Sequence, residues 1–466
     1  MSSLTPASPD LNRWLQANDV LPTAFAERKA LMPMWGAQMV PPTAWPAITQ
    51  RILSTPIKPS TLAYFHIPFC ANRCVFCGFY RNAWQSKHGA PYVDRLIAEL
   101  EFEASQRPTG GSINAVYFGG GTPTALSEAD LCRLLAAVQR TLPLTDDCEI
   151  TIEGRISHFS LAKAQACLAA GANRISIGVQ SFDSQLRRRL GRQHSGDDAA
   201  AYLRELCSQT DAVIVADLMF GLPGQDDAKW AHDLDVALSL GLSGLDLYAF
   251  NCFPTLPINR MLEKGALPPL PSLATQNRHY AYAVRRLIDA GWTQLSNSHF
   301  SNPNPRPNRR ERNRYNQAIK SGQDCLAFGS GAGGCHAGYS YQVQGNLDDY
   351  LATPLDQKPI AFLAGTSPQK QAFGLIQGAL EAGEFARSLF APYPILLQQL
   401  QLWQQQGLLT ISQDQITLSI AGRFWAPTLI RELAQLISPP KEEQCPPHSQ
   451  HPHSAMQNKK PQSVSA

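Results

Sequence analysis

From residue 62 to about residue 300 the chain repeats one pattern: a short apolar run, a turn, then a longer stretch with apolar positions every three or four residues. The runs at 62–67, 114–118, 149–153, 174–179, 212–220 and 245–250, with a weaker one at 293–296, read as strands bounded by turn residues. Residues 92–105, 128–140, 161–170, 227–240 and 276–290 carry helical spacing between them. Repeated strand–helix units build parallel strands joined by right-handed crossovers. About six units suit an incomplete parallel (β/α)6 barrel, an α/β fold, better than a closed eight-stranded one.

The flanks follow other patterns. Residues 1–59 are proline-rich, include Leu31-Met-Pro-Met-Trp-Gly36 and hold no sustained period, as expected of an N-terminal extension packed irregularly on the body. The barrel region, 60–300, leads into a connecting segment at 301–359 that is expected to meet substrate. Residues 360–437 read as a mostly helical C-terminal domain. Its runs Gly407-Leu-Leu-Thr-Ile-Ser412 and Asp414-Gln-Ile-Thr-Leu-Ser419, followed by a helix, have the layout of a winged-helix-type module. Residues 438–466 are polar and proline-rich and read as a disordered tail. Cys445, His448, His451 and His453 lie there; metal binding is the alternative, but the composition favours an unstructured tail.

Composition changes this picture little. A chain of 466 residues, 44% hydrophobic and 17% charged, is ordinary globular material with room for a large core. A net charge of +3 gives no argument for nucleic acid. The 11 cysteines, an odd number with three in one motif, suggest a reducing cytoplasm rather than a disulfide framework. No apolar run approaches the roughly 18 residues of a membrane span, and Met1-Ser-Ser-Leu-Thr-Pro6 lacks the layout of a signal peptide.

The candidate chemistry lies at strand ends. Cys70, Cys74 and Cys77 follow the first strand in a Cys-x3-Cys-x2-Cys spacing. Three close thiolates can hold three irons of a cubane cluster and leave the fourth open, and an open coordination position marks a catalytic metal site. A structural zinc site, with His66 the nearest fourth ligand, and plain buried cysteines are the alternatives. The second strand ends in Gly119-Gly120-Gly121-Thr122-Pro123, where missing Cβ atoms let backbone approach a ligand. The third strand puts Glu149, Thr151 and Glu153 on one face, the fourth ends at Gln180 and is followed by Arg192, and the fifth carries Asp217 inside an apolar run.

The cysteine spacing, the run Tyr64-x-His66-x-Pro68-x-Cys70 and the glycine loop one strand later resemble the radical S-adenosylmethionine (SAM) enzymes. Within these, they resemble the branch of oxygen-independent coproporphyrinogen oxidases and haem chaperones. The resemblance implies a [4Fe–4S] cluster on the three cysteines, with SAM chelating the open iron through its amino and carboxylate groups. It implies that Gly119, Gly120, Gly121 and Thr122 contact the SAM amino group, and that Glu153 accepts from its ribose hydroxyls. Tyr64, Gln180, Arg192 and Asp217 would surround the same SAM. A carboxylate in an apolar run is costly unless paired, so Asp217 is expected to meet Arg192 or SAM.

Departures narrow the branch. Phe79 stands where the porphyrinogen oxidases carry a further cysteine, and Gly78 where the chaperones carry aspartate. The chaperones' His-Asn pair before an aromatic is here Arg310-Glu-Arg-Asn313-Arg-Tyr315-Asn316. Four features resemble instead the haem-utilisation radical SAM proteins (HutW- or ChuW-like), which include anaerobilin synthases. They are Cys77-Gly-Phe-Tyr-Arg-Asn82, the early Met-Pro-x-Trp-Gly cluster, Ser296-Asn-Ser-His299-Phe, and the stretch from Phe328 through Cys335 and His336 to Tyr341.

That resemblance implies a C-methyltransferase that opens the haem macrocycle without oxygen and releases iron. It also implies more than one SAM per turnover, a flavodoxin-like or other electron donor, and a haem-transfer protein as a further partner. Phe76 and Phe79 would then shape the second SAM and substrate cavity, unless they simply pack in the loop. His299, Cys335 and His336 become candidates for the haem site, against the alternative of satisfied structural side chains. Arg314, with Arg306, Arg309, Arg310 and Arg312, could hold propionates, or the run is a solvated loop. Met32 and Met34 could reach iron or fill gaps against Trp35.

Overall fold

A computed structural model describes residues 10–30, 35–303 and 309–437. Met32, Met34, Arg306, Cys445 and the tail histidines lie outside them. The six expected strands are β1 (Thr61–Ile67), β2 (Ile113–Gly120), β3 (Leu144–Gly154), β4 (Arg174–Gln180), β5 (Val213–Phe220) and β6 (Gly244–Ala249). They pair in chain order and all in parallel. All six strands therefore end at one face, the face of the cysteine loop. Helices cover the outside, several started by a side chain accepting a backbone N–H: Ser127, Ser160, Asp226 and Ser272 cap helices the sequence predicts. Ser195 caps one it does not, Gly196–Gln209.

Both edges of the sheet extend further than the apolar pattern suggests. Beyond β6 comes β7 (His299–Ser301), antiparallel, with His299 opposite Asp246. The strand expected at 293–296 shrinks to Thr293–Gln294, hairpinned onto β7. Beside β1, β8 (Cys325–Phe328) adds a further parallel strand. After it β9 (Gly333–His336), β10 (Tyr339–Val343) and β11 (Ile360–Gly365) continue antiparallel. The sheet order is linear, so it stays open. The segment expected to connect the domains and meet substrate thus forms an edge of the sheet, hidden in the sequence by its glycines. Phe65 stacks between Phe118 and Phe328, centroids 5.0 and 4.8 Å apart, tying β8, β1 and β2 together.

The N-terminal extension is more ordered than expected. It forms the helix Trp45–Ser54, and Gln38–Met39 pairs with β11. It is strapped to the last helix, Ile420–Leu436: Trp425 Nε1 donates to the Leu21 carbonyl (2.8 Å) and Arg28 Nε to that of Phe424 (2.7 Å). Before that helix, Leu409–Ile411 and Gln415–Leu418 form the expected strand pair, joined by Glu384–Ala386. Among the described residues no helix is long and apolar enough to cross a membrane.

The lumen of the sheet is filled partly by charge. Helix Arg314–Lys320 stacks Tyr315 on Tyr117 (4.6 Å), which is in turn stacked with Tyr64 (6.4 Å). Glu311, fully buried, lies 3.0 Å from Arg174 Nε and 3.2 Å from His299 Nε2, while Asp246 lies 2.8 Å from His299 Nδ1. Burial alone would lower the His299 pKa, but the two carboxylates win and hold it at about 9. An unfolded histidine titrates near 6.5, so the charged ring contributes stability fully below about pH 6.5 and loses it as pH rises through about 9. Unfolding free energy from anaerobic urea titrations should therefore fall by on the order of 3 kcal/mol more between pH 6.5 and 9.5 in the native chain than in His299→Gln. Parallel pH profiles would refute this assignment.

Candidate active site

The cysteine loop is held at both ends. Phe69–Cys70 pairs with Asn82–Ala83, and Trp84 N–H donates to the Cys70 carbonyl at 2.9 Å. Cys70 and Cys74 are buried, Cys77 is partly exposed, and none of the three is in a disulfide. Donors are turned toward their sulfurs. Arg155 reaches Cys74 Sγ at 3.4 Å and Cys70 Sγ at 3.7 Å, Thr122 Oγ1 lies 3.5 Å from Cys70 Sγ, and Phe79 N–H lies 3.3 Å from Cys77 Sγ. Burial pushes the Cys70 thiol up, while Thr122 and Arg155 favour the thiolate. A second guanidinium, Arg192, lies over Phe76 at 5.5 Å.

This donor set suits sulfurs that carry negative charge as cluster ligands. The zinc alternative does not fit. Among the described residues no three His, Cys, Asp or Glu side chains converge on a single-ion site. His66, whose Nδ1 is 3.0 Å from the Tyr64 hydroxyl and whose Nε2 is buried without a hydrogen-bond partner among the described residues, belongs to no such group.

The glycine loop is packed so closely that side chains are excluded. Ile67 lies opposite Gly120 across the β1–β2 pair, and Gly121 N–H donates to the Ile67 carbonyl at 2.8 Å. A Cβ on Gly121 would stand 2.6 Å from the Phe69 carbonyl oxygen. On Gly120, whose φ is +109°, it would stand 2.5 Å from the His66 ring, and on Gly119 2.9 Å from Glu153 Oε2. Glu153 accepts from the Tyr117 hydroxyl at 2.7 Å; burial raises its pKa against that bond.

Of the two partners expected for Asp217, Arg192 or SAM, the first is not its partner: Arg192 donates instead to Gln180 Oε1. Asp217 accepts from Ser176 Oγ at 3.1 Å, and its pKa rises to about 7 through burial first, then through Asp246 and Glu153. Gln180 has φ +69°, a conformation uncommon outside glycine and enriched at functional sites. Arg187 fixes it by donating to the Val179 and Ser181 carbonyls (2.8 and 3.1 Å), and Asp233 by accepting from Ser181 Oγ at 3.0 Å. Arg155, Arg187 and Asp233 were not singled out from the sequence. Only Arg155 left a signal there, a charge immediately after a strand.

Tyr64, Gly119 to Thr122, Glu153, Gln180, Arg192 and Asp217 thus gather on β1 to β5 and the loops after them, beside the three cysteines. Phe76 packs with Leu190 and Leu222, whereas Phe79 is 74% exposed.

Of the remaining substrate candidates, His336, Cys335 and Arg314 do not join them, whereas His299 pairs with Asp246, the β6 neighbour of Asp217. His336 is buried with Nδ1 3.0 Å from Asp324 Oδ2 and Nε2 3.2 Å from the Thr55 carbonyl, so both ring nitrogens are engaged. Cys335 lies opposite Cys325, which stands beside Leu62 at the start of β1, the end remote from Cys70. Arg314 and Arg312 bind Asp147 early in β3, and Arg309 donates to the carbonyls of Cys207 and Thr210. His299 is the charged lumen residue described above. The glycine-rich loop after β8 begins at the cysteine face, where a Cβ on Gly329 would meet the His66 carbonyl oxygen at 2.7 Å, and then runs back along β9. That reversal carries Cys335 and His336 away.

Residues 64–237 match the family model of the radical SAM superfamily. Anaerobilin synthase from Escherichia coli O157:H7 is 40% identical over 422 residues, which span 89% of this chain and 93% of that protein. The chain belongs to the radical SAM superfamily. Heme chaperone HemW from Bacillus subtilis (strain 168) is 31% identical over 290 residues, covering 62% of this chain and 74% of the relative. Coproporphyrinogen III oxidase (HemN) from Escherichia coli, a solved structure, shares the fold with a TM-score of 0.71 at 22% identity, over 88% of this chain and 96% of that one. These likenesses agree with the branch to which the motifs point. The cofactors of this radical SAM protein are a [4Fe–4S] cluster and SAM, and the three cysteines, their donors and the side-chain-free cradle fit that pair.

Gly121→Ala should displace the Phe69–Cys70 backbone and leave less than about half of the native iron after anaerobic reconstitution, because a contact below 3 Å with backbone cannot be relieved locally. Gly345→Ala, where a Cβ meets nothing within 4 Å, should retain it all. Iron and sulfide analysis with the cluster absorbance checks both, and full loading of Gly121→Ala would contradict the packing argument.

Proposed function

We propose that this chain opens the haem macrocycle without oxygen, transferring a methyl group from SAM and releasing iron with a linear tetrapyrrole. The observation that carries the reading is the 40% identity to anaerobilin synthase across nearly the whole of both chains. It extends well beyond residues 64–237, the stretch shared by the superfamily at large. When bound, the cluster and SAM supply one-electron reductive cleavage of a carbon–sulfur bond and a methyl group.

In this reading Cys70, Cys74 and Cys77 hold the cluster, and Arg155 offsets the charge of their thiolates. Gly119, Gly120, Gly121 and Thr122 cradle the SAM amino group without competing side chains. Glu153 accepts from ribose hydroxyls, and Tyr64, Gln180, Arg192 and Asp217 complete the enclosure. Most of these groups are partly buried, which limits water at a site where reactive species form. The partly exposed Cys77 gives an external donor, flavodoxin-like or other, a short path to the cluster. The reading places the protein in the cytoplasm, with haem as substrate and a haem-transfer protein as supplier. It treats residues 60–300 as an incomplete (β/α)6 barrel and 360–437 as a mostly helical, winged-helix-like domain.

A second reading, delivery of intact haem, is favoured by the likeness to heme chaperone HemW. A third, porphyrinogen oxidation, has the HemN fold in its favour but meets Phe79 where a further cysteine is expected. An anaerobic assay with reconstituted protein, SAM, a strong reductant and haem separates them. Ring opening predicts loss of the Soret band, 5′-deoxyadenosine, and an iron-free product heavier by a methyl group. An intact Soret band with tightly bound haem would refute ring opening and favour the chaperone. Conversion of coproporphyrinogen, with haem untouched, would favour the third reading.

A further inference from the structure

Away from the cysteines, a cavity of about 170 Å³ lies between the end of β6 and the helix Ile420–Leu436. Phe220, Tyr248 and Phe424 line it, and two guanidiniums from opposite ends of the chain face it: Arg28 from the N-terminal strap and Arg423 from the last helix. Arg28 spends Nε on the Phe424 carbonyl at 2.7 Å, lies over the Phe424 ring at 5.2 Å, and has a long 3.5 Å contact to Asn251 Oδ1. Arg423 reaches Asn297 Oδ1 at 3.4 Å and the Ala382 carbonyl at 3.2 Å through a single nitrogen. Among the described residues neither forms an ion pair with a carboxylate. The third cation of the cavity, Lys320, is already paired with Glu381 at 3.0 Å. Glu381 also acts on Arg28, and Glu384 on Arg423, but only at longer range than an ion pair.

Guanidiniums lining one partly enclosed cavity without a carboxylate in ion-pair contact are stabilised by an anion that joins them. Burial lowers the pKa of both, Arg28 to about 10. A guanidinium fork matches a planar carboxylate through two parallel N–H bonds. The volume is too small for a macrocycle, since pockets for drug-sized ligands run to roughly 300–1,000 Å³, but it can admit one acidic arm. Tyr248, Ala249 and Asn251 place it at the same end of the parallel sheet as the cysteine loop.

We propose that Arg28 and Arg423 form the subsite for a propionate carboxylate of the tetrapyrrole substrate. This rests on the haem reading above and moves the carboxylate contacts from the Arg306–Arg314 run to the opening between strap and last helix. Haem dimethyl ester, which keeps the ring and iron but lacks both negative charges, is the discriminating probe.

The full-length, cluster-loaded protein would be titrated anaerobically with haem and with its diester, following the Soret band. The native chain should bind the diester about tenfold more weakly, the scale of one lost charge-assisted pair. Arg423→Gln and Arg28→Gln should each weaken haem by a similar factor and leave the diester nearly unchanged. Arg28 also anchors the strap, so thermal melts accompany both variants, and the ester comparison on the native chain needs no variant at all. Equal affinity of the native chain for haem and diester would overturn the subsite while leaving the haem reading intact. So would variants that weaken both ligands equally. Failure of the native chain to bind either ligand would overturn the haem reading, and the subsite with it.

Discussion

The contact on which the site depends is between two backbones. The β1–β2 pairing sets Ile67 against Gly120, and the next residues of each strand then have nowhere to diverge. Gly121 lies on the Phe69 backbone, Gly120 on the His66 ring and Gly119 on the Glu153 carboxylate. One run of missing Cβ atoms thus fixes the loop that carries the cysteines, the ring beside it and the proposed ribose acceptor. A bulkier residue at any of the three positions would separate parts that must act together. The parallel sheet makes this possible, because neighbouring strands deliver their loops to the same face.

Beneath that face the lumen is polar to an extent that hydrophobic burial alone would not tolerate. Arg174, His299, Asp246 and Glu311 are almost wholly buried, and each has an opposite charge within about ion-pair reach. Arg174 and His299 hold the Glu311 carboxyl far down, to about 2, against the burial that would raise it. Asp217, beside Asp246 across the β5–β6 pair, accepts from Ser176 and is raised to about 7 by burial, Asp246 and Glu153. Two carboxylates in one cavity are thereby driven apart by their neighbours, Glu311 held down and Asp217 raised.

The sequence made β1 to β6 legible because each strand is a compact apolar run, and the cysteine and glycine motifs because their spacing is local. The β8–β11 edge was not legible. Its strands are short, and the glycines that let Gly329 touch β1 also erase the apolar signature. The same loop misled the assignment of His336 and Cys335, whose nearness in sequence to the active face is undone by a reversal after Gly331. Pairing of Asp217 with Arg192 was a sound inference from cost, but it overlooked Gln180, whose left-handed backbone turns its amide oxygen toward that guanidinium. Arg155 and Asp233 act on atoms distant in sequence, so no local pattern announces them.

The strap and the last helix look peripheral in the sequence, yet they cover the edge of the sheet that β7 leaves open. On β6, β7 reaches only Gly244 to Asp246, and beyond it the end of β6 is met by Phe424 and Arg423 from the last helix and by Arg28 from the strap. Those two segments hold each other through Leu21, Phe25 and Trp425. A ligand gripped by both arginines would therefore also tighten the cover over the site, because an ion bridging two elements stabilises the state in which they are together. Substrate anchoring and exclusion of water would then be one event. On the proposed function this coupling matters, since reductive cleavage of SAM before the macrocycle is seated would spend the cofactor on water or protein. The link between arm and cover gives the chain a physical means of ordering the two.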